Sequence, residues 1–394
     1  MSREFDIVVF GASGFTGALV AAYIAKSPER PRWAIAGRNR EKLEALALGV
    51  PILLADAHDR NALAAIAKRT RVVCTTVGPY TKYGSDLVAA CADAGTHYCD
   101  LTGEVQWMRR MIDAHGERAQ ATGARIVHTC GFDSIPSDLG TWALQQEFIA
   151  RFGKPATSVT ALFGETSGGF SGGTVASGFE VAAESSRDPA VRHLLANPYG
   201  LDPDPTAVRP DVPDERSIHW DRRVKKFTVP FVMALVNTRV VRRSHALAGL
   251  PWGDEFRYRE VMSTPGSARG LAMAAGITSA LGALSFAMGR PRLRSLIAKR
   301  APKPGEGPSQ KTRERGHWKV RFVGEAGADR LVYEASDRAD PGYGSTAKML
   351  GESALCLALD PLTSAPGVTT PSVAMGQHLL DRLRRAELTF RPAG

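Results

Sequence analysis

Three glycines spaced three residues apart near the start of the chain constrain its fold more than any other feature. Asp6–Gly17 reads DIVVFGASGFTG, and the apolar-periodic segment Ala18–Ala25 follows it. This order predicts a strand, a tight turn at Gly11, close approach of Gly14 to a pyrophosphate, and a helix packed on the strand through Gly17. The context favours a dinucleotide site over a plain strand-to-helix corner. The same turn predicts further cofactor contacts at Ser13, Phe15 and Thr16.

The end of the second predicted strand indicates which dinucleotide binds. Trp33–Ala36 is that strand, and Gly-Arg-Asn-Arg follows it with no acidic residue before Glu41. A carboxylate at this place would hold the ribose 2′-hydroxyl of NAD, whereas an arginine accommodates the 2′-phosphate of NADP. We therefore predict NADP(H), with Arg38 stacked on the adenine and bound to the phosphate, and Asn39 beside it. The alternative is that these arginines are only solvated residues at a helix entrance.

Strand and helix patterns alternate over residues 1–135, which predicts an α/β fold with a doubly wound parallel sheet. Further strands are predicted at 51–55, 71–77, 97–100 and 125–129, and helices at 59–69, 85–94 and 104–121. Ligands bind outside the C-terminal ends of the strands in such sheets. The cofactor contacts that we predict at the remaining strand ends are Asp56, Gly78, Pro79, Tyr80, Cys130 and Gly131.

Composition limits the kinds of partner. The chain has 394 residues, enough for two domains, and its 44% hydrophobic and 23% charged content is that of an ordinary soluble protein. A net charge of +10 favours anionic partners, but no zinc-finger spacing or arginine-rich tail points to nucleic acid. Five cysteines without a Cys-x-x-Cys pair, and a first strand without a preceding signal peptide, predict buried thiols in the reducing cytoplasm. We predict no metal site at His97–Asp100, because strand alternation sends neighbouring side chains to opposite faces.

Seven segments carry a family pattern. They are residues 11–17, 36–38, 77–80, 98–104, 130–140, 314–322 and 340–346, and Cys-Gly-Phe-Asp-Ser-Ile-Pro at 130–136 is the most specific of them. Together they resemble the saccharopine-dehydrogenase-like oxidoreductases, and among these the trans-acting enoyl reductases of mycobacterial type. The resemblance implies an NADP-binding Rossmann domain, a mixed α/β second domain and C-terminal helices that return toward the first. It also implies reduction of a double bond in a polyketide-type acyl chain during complex lipid synthesis.

We predict three parts of the chain: the Rossmann domain at 1–137, a substrate or interaction domain at 138–340, and C-terminal helices within 341–394. Strands of the second part are predicted at 158–163, 226–241, 317–323 and 330–334, and the C-terminal helices at 345–359 and 373–385. Trp318, Val320 and Phe322 alternate with charged residues, which predicts one covered and one wet sheet face. Residues 164–173 form a loop that either closes over substrate or only connects, 188–216 an irregular surface excursion, and 301–313 a mobile loop.

The segment Gly270–Gly289 holds 20 uncharged residues, enough for about 30 Å of helix. Its strongly apolar side chains favour membrane insertion by only about 3 kcal/mol, which one central charge would cancel. They form one helical stripe, at Met273, Ile277, Leu281, Leu284 and Met288. We therefore predict a helix with one buried face, in the core, at a homodimer contact or on a membrane surface, rather than a spanning helix. The basic run from Arg290 to Lys303 would suit a peripheral membrane contact through 270–303.

Catalysis needs protein groups beyond the cofactor. Hydride transfer belongs to the nicotinamide, so the protein must position the acceptor, stabilise an enolate and provide a proton. The candidate catalytic residues are Tyr80, Asp133 and Ser134. Tyr80 either donates a proton or packs on the cofactor as a wall. Asp133 donates a proton only if burial raises its pKa, and otherwise it caps the helix that begins near Pro136.

The sequence thus predicts an NADPH-dependent oxidoreductase that reduces an enoyl or related double bond in a long acyl substrate near a membrane. One alternative is a saccharopine-type dehydrogenase acting on a polar imine or amino acid, whose site should need several arginines for carboxylates. A second alternative is a non-catalytic NADP-binding protein that attaches to membranes or lipid droplets through 270–303.

Overall fold

Two seven-stranded sheets organise the residues that the computed structural model describes, which are 3–167, 172–207, 209–210, 213–299, 309 and 315–393. The strands of the first sheet are β1 (Phe5–Phe10), β2 (Trp33–Gly37), β3 (Ile52–Leu54), β4 (Thr70–Thr75), β5 (His97–Cys99), β6 (Arg125–Val127) and β13 (Gly367–Thr369). They pair in parallel in the order β13-β6-β5-β4-β1-β2-β3. Every residue of β1 is buried, as expected of a central parallel strand covered on both faces. The predicted doubly wound α/β fold is confirmed.

The helices of this first part follow the predicted alternation. They are α1 (Phe15–Ala25), α2 (Arg40–Glu44), α3 (Arg60–Arg69), α4 (Tyr80–Tyr83), α5 (Ser85–Ala94) and α6 (Val105–Thr122). α5 and α6 end at Gly95 and Gly123, whose positive φ angles of 64° and 83° are the left-handed conformation that glycine adopts without strain. The five cysteines are buried free thiols, as predicted.

The second sheet is mixed. Its strands are β7 (Ser158–Ser167), β8 (His219–Asp221), β9 (Lys226–Val229), β10 (Arg257–Thr264), β11 (His317–Ala326), β12 (Asp329–Asp337) and β14 (Thr389–Pro392), in the order β14-β12-β11-β7-β10-β9-β8. β7 and β10 pair in parallel, and the other neighbours pair antiparallel. The predicted alternation on β11 is confirmed, because Trp318, Val320 and Phe322 are buried.

Two helices connect the two sheets along the chain, one between β6 and β7 and one between β12 and β13. The remaining helices are α7 (Ile135–Phe152), α8 (Gly172–Arg187), α9 (Pro189–Ala196), α10 (Ala234–Leu247), α11 (Ala268–Met288), α12 (Pro291–Ala298), α13 (Thr346–Leu359) and α14 (Pro371–Arg385). α7 packs on β11 so closely that a Cβ at Gly140 would lie 2.6 Å from the Phe322 ring. α13 returns to the first sheet, where Tyr23 of α1 donates a hydrogen bond to Glu352 at 2.6 Å. The expected return of the C-terminal helices is thereby confirmed.

The strand predicted over 226–241 is wrong beyond Val229, since α10 begins at Ala234. The segment is rich in β-branched residues, but its arginines are buried at helical spacing and donate to carbonyl oxygens of distant segments. These tertiary hydrogen bonds override the local preference for strand.

The predicted surface excursion at 188–216 is wrong at its start, where Asp188 caps α9 by accepting a hydrogen bond from Ala190 N at 2.8 Å. The predicted loop at 164–173 is shorter than expected, because β7 continues to Ser167 and α8 begins at Gly172. Residues 168–171 lie outside the described residues, as does the predicted loop 301–313 apart from residue 309.

The apolar helix α11 is long and apolar enough to cross a membrane by length and composition, and it is the one such helix among the described residues. Only 6% of its most apolar window is buried. Gly270 and Ala274 are its buried residues, and they lie on the side that faces β9 and β10. The core placement that the sequence left open is therefore wrong, because the opposite face of the helix is exposed.

Candidate functional site

The glycine turn after β1 is shaped by close backbone contacts. Gly11 has a φ of +85°, and a Cβ there would lie 2.4 Å from the Val77 side chain. A Cβ at Gly17 would lie 2.2 Å from the carbonyl oxygen of Gly11. Gly14 donates its N–H to that oxygen at 2.9 Å and occupies the N-cap of α1. Because a glycine cap has no side-chain acceptor, the first N–H groups of α1 are open to an anion.

The other predicted residues of this turn lie around the same opening. Ser13, Phe15 and Thr16 are half-buried. Phe15 packs edge-to-face on Tyr343, with ring centroids 4.8 Å apart. A Cβ built at Gly37, the end of β2, would lie 3.9 Å from Ser13 Oγ. The turn is therefore adjacent to the strand end that carries the predicted 2′-phosphate contact.

Arg38 and Asn39 have different environments at the end of β2. The Asn39 side chain accepts a hydrogen bond from Lys42 N at 2.9 Å and caps α2. Arg40 lies 3.5 Å from Glu44 on the same helix. The guanidinium of Arg38 is exposed and has no hydrogen-bond or ion-pair partner among the described residues. Of the two arginines, Arg38 is thus the one whose side chain is uncommitted.

The ends of β3 and β4 carry the next predicted contacts. Asp56 is exposed, and its carboxylate accepts a hydrogen bond from His58 N at 3.0 Å in a local turn. The Gly78–Pro79 peptide bond is cis, and α4 begins directly after it. The Val77 side chain lies next to Gly11, as described above, so β4 ends beside the glycine turn that is predicted to bind the pyrophosphate.

A buried carboxylate that sequence reasoning missed holds this strand end in place. Glu104 is fully buried and accepts hydrogen bonds from Tyr80 N and Thr81 N, both at 2.8 Å, and from the Thr81 hydroxyl. It also accepts a hydrogen bond from Ser177 of α8 at 2.8 Å. Glu104 therefore connects the Gly78–Pro79 turn to a helix of the second part. The sequence placed residues 100–104 at a strand end that faces ligand, within the family segment 98–104, but it gave Glu104 no role of its own.

A second buried carboxylate, Asp100, ties the ends of β5 and β6 together. It accepts hydrogen bonds from Thr102 N at 3.1 Å and Thr129 N at 3.0 Å, and from the Tyr98 hydroxyl at 2.9 Å. His128 Nδ1 lies 2.7 Å from the same carboxylate. This network fixes the backbone that leads into the Cys130–Ser134 segment.

Tyr80 points its phenol away from solvent. The residue is 3% exposed, donates its hydroxyl to Thr75 O at 3.2 Å and accepts from Leu101 N at 3.4 Å. Burial, and next the negative charge of Asp100, raise the pKa of this phenol well above its usual value. Its ring packs on Trp107, with centroids 5.3 Å apart. In this arrangement the phenol is a neutral group committed to the backbone.

Asp133 lies on the loop after β6 and lacks a partner for one carboxylate oxygen. Its Oδ2 is buried without a hydrogen bond to any described residue, and a Cβ at Gly131 would lie only 2.5 Å from it. Burial, opposed by a backbone hydrogen bond, raises the pKa of this carboxyl to about 7. The N-cap of α7 is Ser134 rather than Asp133. Asp133 is therefore a carboxylic acid that is substantially protonated at neutral pH.

The neighbours of Asp133 are engaged elsewhere. The Ser134 hydroxyl is buried and donates to Asn237 Oδ1 at 2.9 Å, within a network that includes Glu260. Cys130 is fully buried, and burial raises the pKa of its thiol well above its usual value. The Cys130 N–H is engaged as well, since it donates to Asp100 O at 2.7 Å.

Helix α8 packs beside the turn after β4, at the C-terminal edge of the first sheet where we predict the cofactor crevice. Besides the bond from Ser177 to Glu104, Glu180 pairs with Lys82 at 2.5 Å, and Glu184 accepts a hydrogen bond from Gln106 at 3.1 Å. A Cβ at Gly78 would lie 3.8 Å from the Ser177 hydroxyl. Hydrogen bonds and an ion pair therefore hold α8 at the C-terminal edge of the first sheet.

Comparison with known proteins agrees with the resemblance found in the sequence. Residues 7–127 match the saccharopine dehydrogenase NADP binding domain. A Mycobacterium tuberculosis protein is 44% identical over 409 residues, covering 99% of this chain and 97% of its own. The trans-acting enoyl reductase of Mycobacterium leprae is 41% identical over 405 residues, covering 98% and 96%. Saccharopine dehydrogenase (L-Glu forming) from Saccharomyces cerevisiae superposes with a TM-score of 0.53 at 14% identity, over 98% of this chain and 99% of that one, which shows a common fold alone.

Proposed function

Because the chain belongs to the trans-acting enoyl reductases, within the saccharopine-dehydrogenase-like proteins, and is an NADP-dependent oxidoreductase, we propose that it reduces a carbon–carbon double bond of a long acyl or polyketide-type thioester. The observation that carries this proposal is Asp133, a half-buried acid on the loop that follows β6, with one enclosed oxygen that has no partner among the described residues and a pKa of about 7. The non-catalytic alternative is set aside by the family assignment.

The residues of the crevice fit NADP(H), which when bound supplies the hydride. The turn at Gly11 and Gly17 leaves no room for side chains, so backbone N–H groups can approach the pyrophosphate. Arg38, whose guanidinium is uncommitted, is assigned to the 2′-phosphate. Asn39 is assigned through its backbone, since its side chain caps α2. The remaining contacts that we assign to the cofactor are Ser13, Gly14, Phe15, Thr16, Asp56, Gly78, Pro79, Tyr80, Cys130 and Gly131.

Reduction of an enoyl thioester requires a hydride at the carbon β to the carbonyl and a proton at the α carbon. As the hydride adds, the π electrons of the double bond move onto the α carbon and the carbonyl oxygen. Asp133 then gives its proton to the α carbon and regains one from water, so that one hydride and one proton are consumed per double bond. An acid with a pKa near the working pH is best suited to this transfer.

Among the described residues, the three buried arginines of α10 do not offer the carboxylate site that a saccharopine-type substrate would need. Arg239 is paired with Asp214, and Arg242 and Arg243 donate to backbone carbonyl oxygens. All three guanidinium groups are thus already paired where α10 packs against its neighbours. This observation favours an acyl substrate over a polar amino-dicarboxylate.

The test is the loss of NADPH absorbance with trans-2-enoyl thioesters of increasing chain length, and in parallel with a 2-oxo acid plus an amino acid. We expect turnover only with the enoyl thioesters, improving with chain length, and mass spectrometry should show the saturated product. The rate of the proton-dependent step should fall as pH rises through about 7, because the acid form of Asp133 is lost. Turnover confined to the oxo acid and amine would establish the saccharopine-type reaction instead.

A further inference from the structure

Helix α11 presents an apolar face that the described part of the protein leaves uncovered. Phe286 is 57% exposed and Leu284 45%, and Leu271 and Met273 are exposed to a similar degree. The side that faces the protein is a narrow stripe through Gly270 and Ala274, as described above. The residues exposed between these positions are mostly alanine and glycine, so the outer face has no charged side chain over five turns. Faces of this extent mark a contact with an apolar partner.

The chain segment that contains this face carries one sign of charge. No acidic residue occurs in the sequence between Glu260 and Glu306. The cations placed by the structure in this stretch are Arg269, Arg290, Arg292, Arg294 and Lys299. The guanidinium of Arg290 lies over the Phe286 ring, 3.3 Å from its centroid, at the end where α11 turns into α12. α12 adds a further exposed apolar side chain, Leu296, among these cations.

We propose that the outer face of α11, together with α12, docks on the surface of an anionic lipid bilayer. The apolar side chains would enter the boundary between headgroups and acyl chains, and the cations would remain at the anionic headgroups. This inference concerns a surface outside the crevice and stands independently of the proposed substrate.

Two other occupants fit the same surface less well. A spanning helix would require lipid on all sides, whereas α11 is held against β9 and β10, and Thr264 Oγ1 donates a hydrogen bond to Gly270 O at 2.9 Å. A second copy of the chain, paired about a twofold axis across α11, would bring the two sets of cations together without acidic partners on the patch. The charge pattern therefore favours an anionic bilayer over self-association.

Helix α8 connects the docking surface to the crevice. It contacts both α11 and α12, and its Ser177 and Glu180 bond to Glu104, at the start of α6, and to Lys82 of α4. Helix α8 therefore lies between the docking surface and the cofactor site.

The test is flotation of the full chain with vesicles of phosphatidylcholine alone and of phosphatidylcholine mixed with phosphatidylglycerol. We expect flotation only with the anionic vesicles, weakened by added salt. Leu284→Ser with Phe286→Ser should reduce the bound fraction about tenfold or more, since both side chains are exposed in the folded protein. Arg292→Gln with Lys299→Gln should reduce the partition coefficient roughly 25-fold, at about fivefold per cation.

The matched control is Arg151→Gln with Arg385→Gln, which removes the same charge from exposed positions on α7 and α14 and should leave flotation unchanged. The absence of flotation with anionic vesicles, or equal flotation of the Leu284 and Phe286 variant, would overturn the proposal. A protein that resists extraction from membranes by high salt and alkaline carbonate would show a spanning helix. A dimer that the same variant converts to monomer, without vesicle binding, would assign the face to a second copy.

Discussion

Replacement of Glu104 by glutamine should loosen the strand end that borders the cofactor crevice. One carboxylate oxygen accepts from Tyr80 N and Ser177 Oγ, and the other accepts from the backbone and hydroxyl of Thr81. In the variant one of these oxygens becomes an NH₂ group. Depending on how the amide is turned, either the buried N–H of Tyr80 or the partly buried N–H of Thr81 then faces a donor instead of an acceptor.

The magnitude follows from that geometry. A hydrogen bond to a charged acceptor contributes about 1.5–3 kcal/mol, and a stranded buried N–H costs about 1–3 kcal/mol. We therefore expect Glu104→Gln to lower the free energy of unfolding by about 3–5 kcal/mol. Intrinsic fluorescence in urea measures this loss; Trp107, which contacts the Tyr80 ring, is one of the six tryptophans that contribute to it.

The matched control is Glu117→Gln, which makes the same chemical change at an exposed position on α6. It should leave the free energy of unfolding unchanged within about 0.5 kcal/mol. Affinity for NADPH, followed by fluorescence titration, should fall in the Glu104 variant alone, since the Gly78–Pro79 turn is no longer fixed. A loss below about 1 kcal/mol for Glu104→Gln, or equal losses in the two variants, would refute the reasoning.

Three further variants test the Arg38 contact, the glycine turn and the buried carboxyl group of Glu260. Arg38→Ala should weaken NADPH about 10- to 100-fold and leave NADH unaffected, whereas Arg40→Ala should change neither affinity; equal effects on both dinucleotides would contradict the 2′-phosphate assignment. Gly17→Ala should abolish dinucleotide binding because its Cβ would lie 2.2 Å from a backbone carbonyl oxygen, whereas Gly116→Ala, with nothing within 4 Å, should bind normally. Burial raises the pKa of Glu260 to about 7 in the folded protein, from about 4.5 in the unfolded chain. The unfolded chain therefore loses this proton first, and stability should fall as the pH rises from about 4.5 to 7. Glu260→Gln should remove up to about 3 kcal/mol of that dependence, measured by urea unfolding across this range.

The first sheet was predictable because its signals are local. Glycine spacing, a short apolar strand and a following helical period stand next to one another in Asp6–Ala25, and each points to the same unit. The edge strand Gly367–Thr369 was missed because it lies outside the strand and helix alternation of residues 1–135 that identified the other short strands. It forms only by pairing with β6, about 240 residues earlier in the chain. Local pattern thus identified the sheet but not its last strand.

The errors in the second part have a different cause. The strand predicted over 226–241 includes residues 234–241, which contain many β-branched residues, yet these form the start of α10 because Arg239, Arg242 and Arg243 find carbonyl or carboxylate partners in distant segments. Those partners cannot be inferred from residue spacing. The same limit applies to the site, since Glu104 receives hydrogen bonds from residues 23, 24 and 73 positions away. The sequence located the strand ends, and the tertiary contacts determined which side chains remain available there.

The choice of proton donor rests on the contrast between two groups that the sequence treated alike. Tyr80 has a phenol whose pKa lies well above its usual value and whose hydroxyl is already bonded to Thr75 O and Leu101 N. Asp133 has a carboxyl pKa of about 7 and one oxygen without a partner among the described residues. Proton transfer from the phenol would leave a buried anion, whereas transfer from the acid leaves a carboxylate that is stable at neutral pH.

A pair of variants therefore separates the two roles. Asp133→Asn keeps the shape of the side chain but removes the transferable proton, so the rate of enoyl reduction should fall about 100- to 10,000-fold with little change in NADPH affinity. Tyr80→Phe deletes a hydroxyl bonded to backbone and should cost about 1 kcal/mol of stability while the pH profile of the rate keeps its fall through about 7. If Tyr80→Phe abolishes turnover and Asp133→Asn retains both the rate and the profile, then the proton comes from the phenol, and the crevice must rearrange on binding to expose it.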